Sequence, residues 1–249
     1  MKKVSLSIKI YFSLIITLAI LAAINVFLPQ GTFMSAEVLL PASKPVLALV
    51  NVMTVLVLYG GLGFLGLKLS PQLGFADIWD LKISNKQRFL VPAFIGAGLG
   101  VFLIIADLIF SNFHNLGSIP HPPFPTSIVA SAAAAIGEEV IFRLFFISFW
   151  VWIVSHLIFK KRWQNQVFWI VTLFSAFLFA IGHFPSVMIL FGINSFSELP
   201  YILIFEIILL NGVISFFAAF YFKQYGFLAA VGIHFWTDIV WHVIWGIIS

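Results

Sequence analysis

Long apolar runs alternate with short polar stretches along most of this chain. A run of about 20 apolar residues is long enough to cross the hydrocarbon core of a bilayer as a helix. The pattern predicts an all-α, polytopic transmembrane helical bundle of about seven helices. The seven candidate runs are 10–28, 45–67, 89–110, 127–159, 167–184, 201–222 and 227–248.

Two stretches leave the number of elements open. The fourth run would be ~50 Å long as one helix, which exceeds a hydrocarbon core of ~30 Å, so it must protrude, tilt steeply or break. Between Pro185 and Pro200, the apolar segment 187–191 is too short to span a bilayer. It leaves room for an eighth element that is interfacial or re-entrant.

Lysine and arginine positions agree with seven crossings, because basic residues crowd the loops on one side of a membrane. Lys44 alone falls on the other side, and Arg143 lies inside a run. We therefore expect a multi-pass protein of a bacterial cell membrane with a cytoplasmic N-terminus. The first run is longer than a signal-peptide core, so we expect an uncleaved anchor. The residues of the cytoplasmic side are Lys2, Lys3, Lys9, Lys68, Lys82, Lys86, Arg88, Lys160, Lys161, Arg162 and Lys223.

Composition narrows the class of protein further. Only 9% of the residues are charged and 62% are hydrophobic, against roughly 25% charged residues in a soluble domain. No Ser/Gly-rich or Pro-rich linker divides the chain, so we expect a single integral membrane domain over 1–249. The chain has no cysteine, which excludes a disulfide framework, a thiolate nucleophile and a Cys-ligated metal. The basic residues flank apolar runs, so no nucleic-acid partner is expected, and nothing indicates an oligomeric state.

Residues 138–143 place two carboxylates and a guanidinium inside the fourth run. A charge at membrane depth costs at least ~2.5 to 3.5 kcal/mol on insertion scales, so such groups are paired, hydrated or used in chemistry. Glu139 and Arg143 are four residues apart, the spacing of a supporting ion pair on one helical face. Glu138 points roughly 100° away from Glu139 and has no basic partner within its own turn. Glu138 is therefore the first candidate for function.

Histidines on later runs can meet Glu138 in one polar layer. His183 lies near the end of the fifth run, and His234, Asp238 and His242 form an i, i+4, i+8 stripe on the seventh. Counted at ~1.5 Å per residue from the inner boundary, His234 lies near ~11 Å, Asp238 near ~17 Å and His183 near ~24 Å. Glu138 comes out somewhat higher, by an amount that protrusion of the long fourth helix would reduce. We interpret His156 and Glu206 as core residues without a matching neighbour. The connector containing His114 and residues 120–123 is interpreted as turn-rich and is assigned no chemistry.

These side chains suit hydrolysis without a covalent nucleophile. A carboxylate and an imidazole can take a proton from water, and further donors can stabilise the oxyanion of a tetrahedral intermediate. Signals of other intramembrane hydrolases are missing from the sequence. There is no HExxH zinc motif, no GxSxG serine elbow and no GxGD segment.

Three motifs in order resemble the CPBP family. They are EExxxR at 138–143, FxxxH from Phe179 to His183, and His234 followed four residues later by Asp238, with the flanking YGFLAA at 225–230. The CPBP family comprises CAAX prenyl endopeptidases of the Ras-converting type and bacteriocin-processing or immunity membrane proteins. The similarity covers about 127–249, the family-like catalytic core.

The resemblance implies an intramembrane glutamate endopeptidase. In that scheme Glu138 and His183 activate the attacking water, and His234 with Asp238 forms the oxyanion hole. Glu139 and Arg143 hold the site in shape. The implied substrate is a membrane-associated peptide or protein, either of the prenylated CAAX type or a bacteriocin-like peptide.

One position departs from the resemblance, because Asp238 stands where the family usually has Asn. An ionised Asp accepts hydrogen bonds but cannot donate one to an oxyanion. Asp238 could carry a proton, or it could orient His234, the role we favour. A third alternative is a divalent metal held by Glu138, His183, His234 and Asp238, with or without His242. We expect no required cofactor.

Two other classes of function stay open on sequence alone. Intramembrane acids and histidines also serve as relay groups in a proton- or ion-coupled transporter, although no internal symmetry between halves is visible. A non-catalytic scaffold or immunity partner could keep the same fold, and it would tolerate loss of Glu138.

Overall fold

The computed structural model describes residues 5–31 and 42–249, so Lys2 and Lys3 lie outside the described residues. Within these ranges it contains seven helices long and apolar enough to cross a membrane, which confirms the predicted bundle. They are α1 (Leu6–Asn25), α2 (Lys44–Leu73), α3 (Lys86–Phe113), α4 (Thr126–Ile158), α5 (Gln164–Leu190), α6 (Tyr201–Tyr225) and α7 (Phe227–Ile248).

Hydrogen bonds between loops and helix ends define the two ends of the bundle. At one end, Ser7 donates to Asp77 over 2.7 Å, and Gln164 donates to the Leu73 carbonyl over 2.6 Å. At the other end, the Thr126 hydroxyl donates to the Pro29 carbonyl. We call the first the basic end, because it carries Lys9, Lys68, Lys82, Lys86, Arg88, Lys160, Lys161, Arg162 and Lys223. Which side of the membrane the basic end faces stays a prediction.

Helix α4 is continuous over its 33 residues. Its backbone changes from α-helical to π-helical hydrogen bonding at Val140–Ile147, directly after Glu139, and again at Trp152–Ile158. A π segment adds residues to a turn and so re-aims the side chains that follow it. The sequence predicted that this long run protrudes, tilts steeply or breaks. Because the helix is continuous, a break is excluded.

Helix α5 runs through Pro185 to Leu190, so the predicted helix end at Phe184 is wrong. Proline is tolerated inside membrane helices, where neighbouring groups compensate for the lost hydrogen bond. Phe184 and Val187 pack against Leu203 and Ile207 of α6, which holds this last part of α5 in the bundle. The described chain between Pro185 and Pro200 adds a short 3₁₀ turn, Phe196–Glu198, and no eighth spanning helix.

Helices α3 and α7 approach closely at two glycines. A Cβ atom on Gly96 would lie 2.4 Å from the Ile233 carbonyl oxygen, and one on Gly100 would lie 2.6 Å from Val240 Cβ. Thr237 also donates to the Gly96 carbonyl over 3.1 Å. Small residues four apart allow this kind of packing in membranes. The contact fixes the rotation of α7, the helix that carries His234 and Asp238.

Candidate active site

Glu139 connects α4 to α7 in the interior of the bundle. Its Oε2 lies 3.0 Å from Arg143 Nε, as the i, i+4 spacing predicts. Its Oε1 accepts a hydrogen bond of 2.9 Å from His234 Nδ1. Glu139 and Arg143 are fully buried, and His234 is 4% exposed. The buried carboxylate is therefore neutralised by a guanidinium and positioned against an imidazole.

Glu138 faces the other nitrogen of the same imidazole. Its Oε2 lies 3.8 Å from His234 Nε2, and Asp238 Oδ2 lies 3.6 Å from that nitrogen. Both distances exceed a direct hydrogen bond. The Glu138 side chain is 33% exposed, whereas that of Glu139 is fully buried. Glu138 is thus the accessible acid of the pair.

The FxxxH motif on α5 sets the orientation of His183. Its Nδ1 donates to the Phe179 carbonyl over 2.7 Å, so Nε2 remains as a proton acceptor. The Phe179 ring centroid lies 4.8 Å from the Arg143 guanidinium carbon and 5.9 Å from the His234 ring. Phe179 is therefore the shared wall between the two histidines and the buried arginine.

These groups surround one cavity of about 220 Å³, which we call the site cavity. Glu138, His183, His234 and Asp238 all line it, together with apolar side chains of α3, α5, α6 and α7. Glu139 and Arg143 lie behind its wall. Among the described residues, no hydrogen bond or ion pair joins His183 to the other three. A small molecule held between these side chains would have to make that connection.

The connector before α4 forms part of this cavity, which sequence reasoning missed. Pro120 and Pro122 line the cavity. His121 Nδ1 lies 3.1 Å from His242 Nδ1, and its ring stands edge-on to Trp241 at 4.6 Å. Burial lowers the pKa of His121 to about 4, so at neutral pH one ring of the pair donates to the other. The spacing of His242, eight residues after His234, predicted that it lies near the cavity. No pattern in the sequence predicted its partner in the connector, His121.

A second group of ionisable side chains lies between α3, α6 and the same connector. His114 Nε2 lies 3.5 Å from Glu206 Oε2, and Asp107 Oδ1 accepts from the Ile119 amide over 3.0 Å. The interpretation of Glu206 as a residue without a neighbour is therefore wrong. Burial lowers the pKa of His114, and the charge of Asp107 opposes that shift. His156 does not line the site cavity, and its ring lies 6.4 Å from that of Trp152.

The residues as placed do not fit a shared metal ion. Across residues 5–31 and 42–249, no group of three or more His, Asp or Glu side chains has the arrangement that would hold one. We derive no chemical step through a metal.

The fold and the cavity together define a polytopic membrane protein whose acids and histidines converge inside the bundle. Residues 120–240 match the family described as Type II CAAX prenyl endopeptidase Rce1-like. This segment carries all six predicted site residues, and over it the chain is similar to the Rce1-like family of CAAX-type proteases. The chain is thus an integral membrane protein whose site-bearing segment is similar to a family of proteases. No curated protein and no solved structure matches it.

Proposed function

We propose that the protein is an intramembrane endopeptidase that hydrolyses a peptide bond in a membrane-associated substrate. One observation carries the proposal: Glu138, His183, His234 and Asp238, from three different helices, line a single cavity. Ionisable groups are costly in a membrane bundle and mark functional sites there. The family match supports proteolysis as the chemistry of this cavity.

Glu138 and His183 are suited to activate water. Glu138 is the accessible carboxylate, and the hydrogen bond from His183 Nδ1 to Phe179 leaves Nε2 as an acceptor. The water oxygen adds to the substrate carbonyl carbon while Glu138 takes one of its protons. Glu138 then returns that proton to the amide nitrogen as the C–N bond breaks. The products are a carboxylic acid and an amine, and general acid-base catalysis of this kind contributes typically ~10²- to 10⁴-fold.

His234 is suited to stabilise the oxyanion. Glu139 holds the ring through Nδ1, so Nε2 is directed towards the cavity between Glu138 and Asp238. A doubly protonated ring donates from Nδ1 to Glu139 and from Nε2 to an oxyanion. Arg143, paired with the other oxygen of Glu139, fixes that carboxylate in place.

Asp238 lies beside His234 Nε2, so it can restrain the ring on the cavity side. The shorter contact to the ring, at Nδ1, belongs to Glu139. The orienting role proposed for Asp238 is therefore shared with Glu139. An Asn at this position would keep a polar contact to Nε2 and would place no negative charge beside the oxyanion.

The site cavity limits what part of a substrate it can hold. Its volume of about 220 Å³ is below the ~300 to 1,000 Å³ of typical small-molecule pockets. Its apolar lining includes Leu103, Val187, Ile207, Leu210 and Trp241. We propose that it receives apolar residues next to the scissile bond, and that any lipid chain on the substrate lies outside it.

The test is cleavage of quenched fluorescent peptides by purified protein in lipid, with prenylated and unprenylated versions of each peptide. We expect cleavage by the wild type, none by Glu138→Ala or His183→Ala, and no effect of a chelator. A prenyl requirement would assign a CAAX-type substrate. If the wild type cleaves no peptide while both variants are equally stable, the scaffold or transporter reading replaces the proposal.

A further inference from the structure

Glu138 also borders a second cavity, on the other side of α4. This second cavity has a volume of about 270 Å³ and lies between α1, α2 and α4. Ala134 and Glu138, one turn apart on α4, line both cavities. The two cavities therefore adjoin along α4, with the Glu138 side chain at their boundary.

Polar side chains line part of this cavity, although a surface that contacts only lipid has no need of polar groups. Asn25, Asn51, Thr54 and Tyr59 contribute to its wall. A crevice of similar kind between α5 and α6 is lined only by apolar side chains and a glycine, from Leu173 to Phe217. Polar groups at membrane depth face the bundle interior or water-filled cavities. The contrast indicates that the second cavity holds water, whereas the α5–α6 crevice holds lipid.

An unsatisfied buried atom points to the same occupant. Asn25 Oδ1 is buried and has no hydrogen-bond partner among the described residues. Buried polar atoms without a protein partner are normally satisfied by water. At ~30 Å³ per water in the liquid, the cavity has room for several waters.

The path reaches the reacting group directly. Asn25, at one end of the second cavity, is the last residue of α1. Glu138, at the other end, lies ~18 Å along α4 from Thr126, the first residue of that helix, at a rise of 1.5 Å per residue. A Cβ atom on Gly137 would lie 3.3 Å from Tyr59 Cε1. The missing side chain at Gly137 lets the Tyr59 ring pack against α4, immediately before Glu138.

We propose that the second cavity is a hydrated passage that supplies water to Glu138 while the substrate occupies the site cavity. An apolar peptide segment in the site cavity would exclude the water that hydrolysis consumes, so a separate route from the other side of α4 is needed. This use of the passage rests on the proposed function. The hydration of the passage and its access to Glu138 do not, and they are tested without any substrate.

The natural absence of cysteine allows a direct test of hydration. Single-cysteine variants are reconstituted in lipid vesicles and treated with a small charged methanethiosulfonate reagent. Thr54 and Val57, three residues apart on α2, are both exposed, Val57 at 67%. Thr54 lines the passage and Val57 does not, so Thr54→Cys and Val57→Cys differ in the surface on which the thiol lies. We expect at least ~10-fold faster labelling at Thr54, because the reactive thiolate forms in water. Equal, slow labelling at both positions would overturn the proposal.

Access to Glu138 is tested by filling the passage. In a Glu138→Cys background, Thr54→Leu should slow labelling of the new thiol, whereas the matched control Val57→Leu should leave the rate unchanged. An unchanged rate with Thr54→Leu would show that reagent and water reach position 138 from the site cavity alone, which overturns the proposal. Neither readout requires proteolysis. Fast labelling at Thr54→Cys in a protein that cleaves no peptide would therefore refute the proposed function and still support the hydrated passage.

Discussion

Two groups of ionisable residues lie inside this bundle, and they differ in charge balance and in access. The first, the site cluster, consists of Glu138, Glu139, Arg143, His234 and Asp238. The second, the loop cluster, consists of Asp107, His114 and Glu206. In the site cluster a guanidinium compensates a carboxylate at 3.0 Å. In the loop cluster, the ion pair found in the described chain is that of His114 with Glu206.

Access separates the two clusters more clearly than charge does. Asp107 and Glu206 are fully buried, and they accept from a loop amide and contact a loop histidine. Glu138 and Asp238 instead line a cavity between helices. A buried acid in a membrane span is therefore not by itself a sign of chemistry. An acid that is both positioned by neighbours and open to a cavity is the stronger sign.

The largest effect that separates the clusters is expected for two matched substitutions of glutamate by glutamine. Glu138→Gln should lower kcat by ~10²- to 10⁴-fold, because it removes the proton acceptor. Glu206→Gln should leave kcat close to that of the wild type, since Glu206 ties the connector to α6. Both are measured as peptide cleavage in lipid, with folding checked by size-exclusion chromatography. An equal loss of kcat in folded Glu206→Gln would erase the distinction.

The charge balance of the site cluster predicts a large effect on stability. Arg143→Met leaves Glu139 without its guanidinium partner, and breaking a buried ion pair from one side costs ~3 to 5 kcal/mol. His114→Gln in the loop cluster keeps a hydrogen-bonding side chain and should cost less. The free energies of unfolding are compared in mixed micelles. A cost for Arg143→Met no greater than that for His114→Gln would show that Arg143 does not stabilise the buried carboxylate.

A smaller effect is expected at Asp238. Asp238→Asn should keep activity, since an amide can hold His234 and can also donate a hydrogen bond to the oxyanion. Asp238→Ala removes both contacts and should lower kcat with little change in KM. Total loss of activity in Asp238→Asn, together with loss of a bound divalent metal, would contradict the orienting role and favour metal ligation.

The smallest effect concerns pH and the connector. Burial lowers the pKa of His121 from 6.5 to about 4. The unfolded chain therefore binds a proton at higher pH than the folded chain, and this contribution to stability is complete above pH 6.5 and is lost as the pH falls towards 4. His121→Gln should reduce the fall in thermal midpoint between pH 7 and pH 4, relative to the wild type. Identical pH profiles would show that His121 is not buried in its neutral form.

The bundle itself could be predicted from the sequence because each span depends on a local property, the length of an apolar run. The end of α5 could not. Pro185 usually marks a helix boundary, but the packing of Phe184 and Val187 on α6 extends the helix to Leu190. Tertiary contacts decide such boundaries, and they are not encoded in the run itself.

The site followed the same division between local and long-range information. The Glu139–Arg143 pair depends on one turn of one helix, so its spacing was sufficient to predict it. The hydrogen bond from His234 to Glu139 depends on the rotation of α7, which Gly96 and Gly100 fix against α3. The partners of Glu206 and His242 come from the connector, whose path no periodic pattern describes.

In the proposed reaction, Glu138 directs water onto a peptide bond in the bundle. The most direct measurement is mass spectrometry of one membrane-associated peptide, incubated in oxygen-18 water with wild-type protein or with Glu138→Gln in the same lipid. We expect a single cut by the wild type, with one heavy oxygen in the new carboxyl group, and an intact peptide with Glu138→Gln. The same labelled products from Glu138→Gln, or none from a folded wild type with any peptide tried, would contradict it.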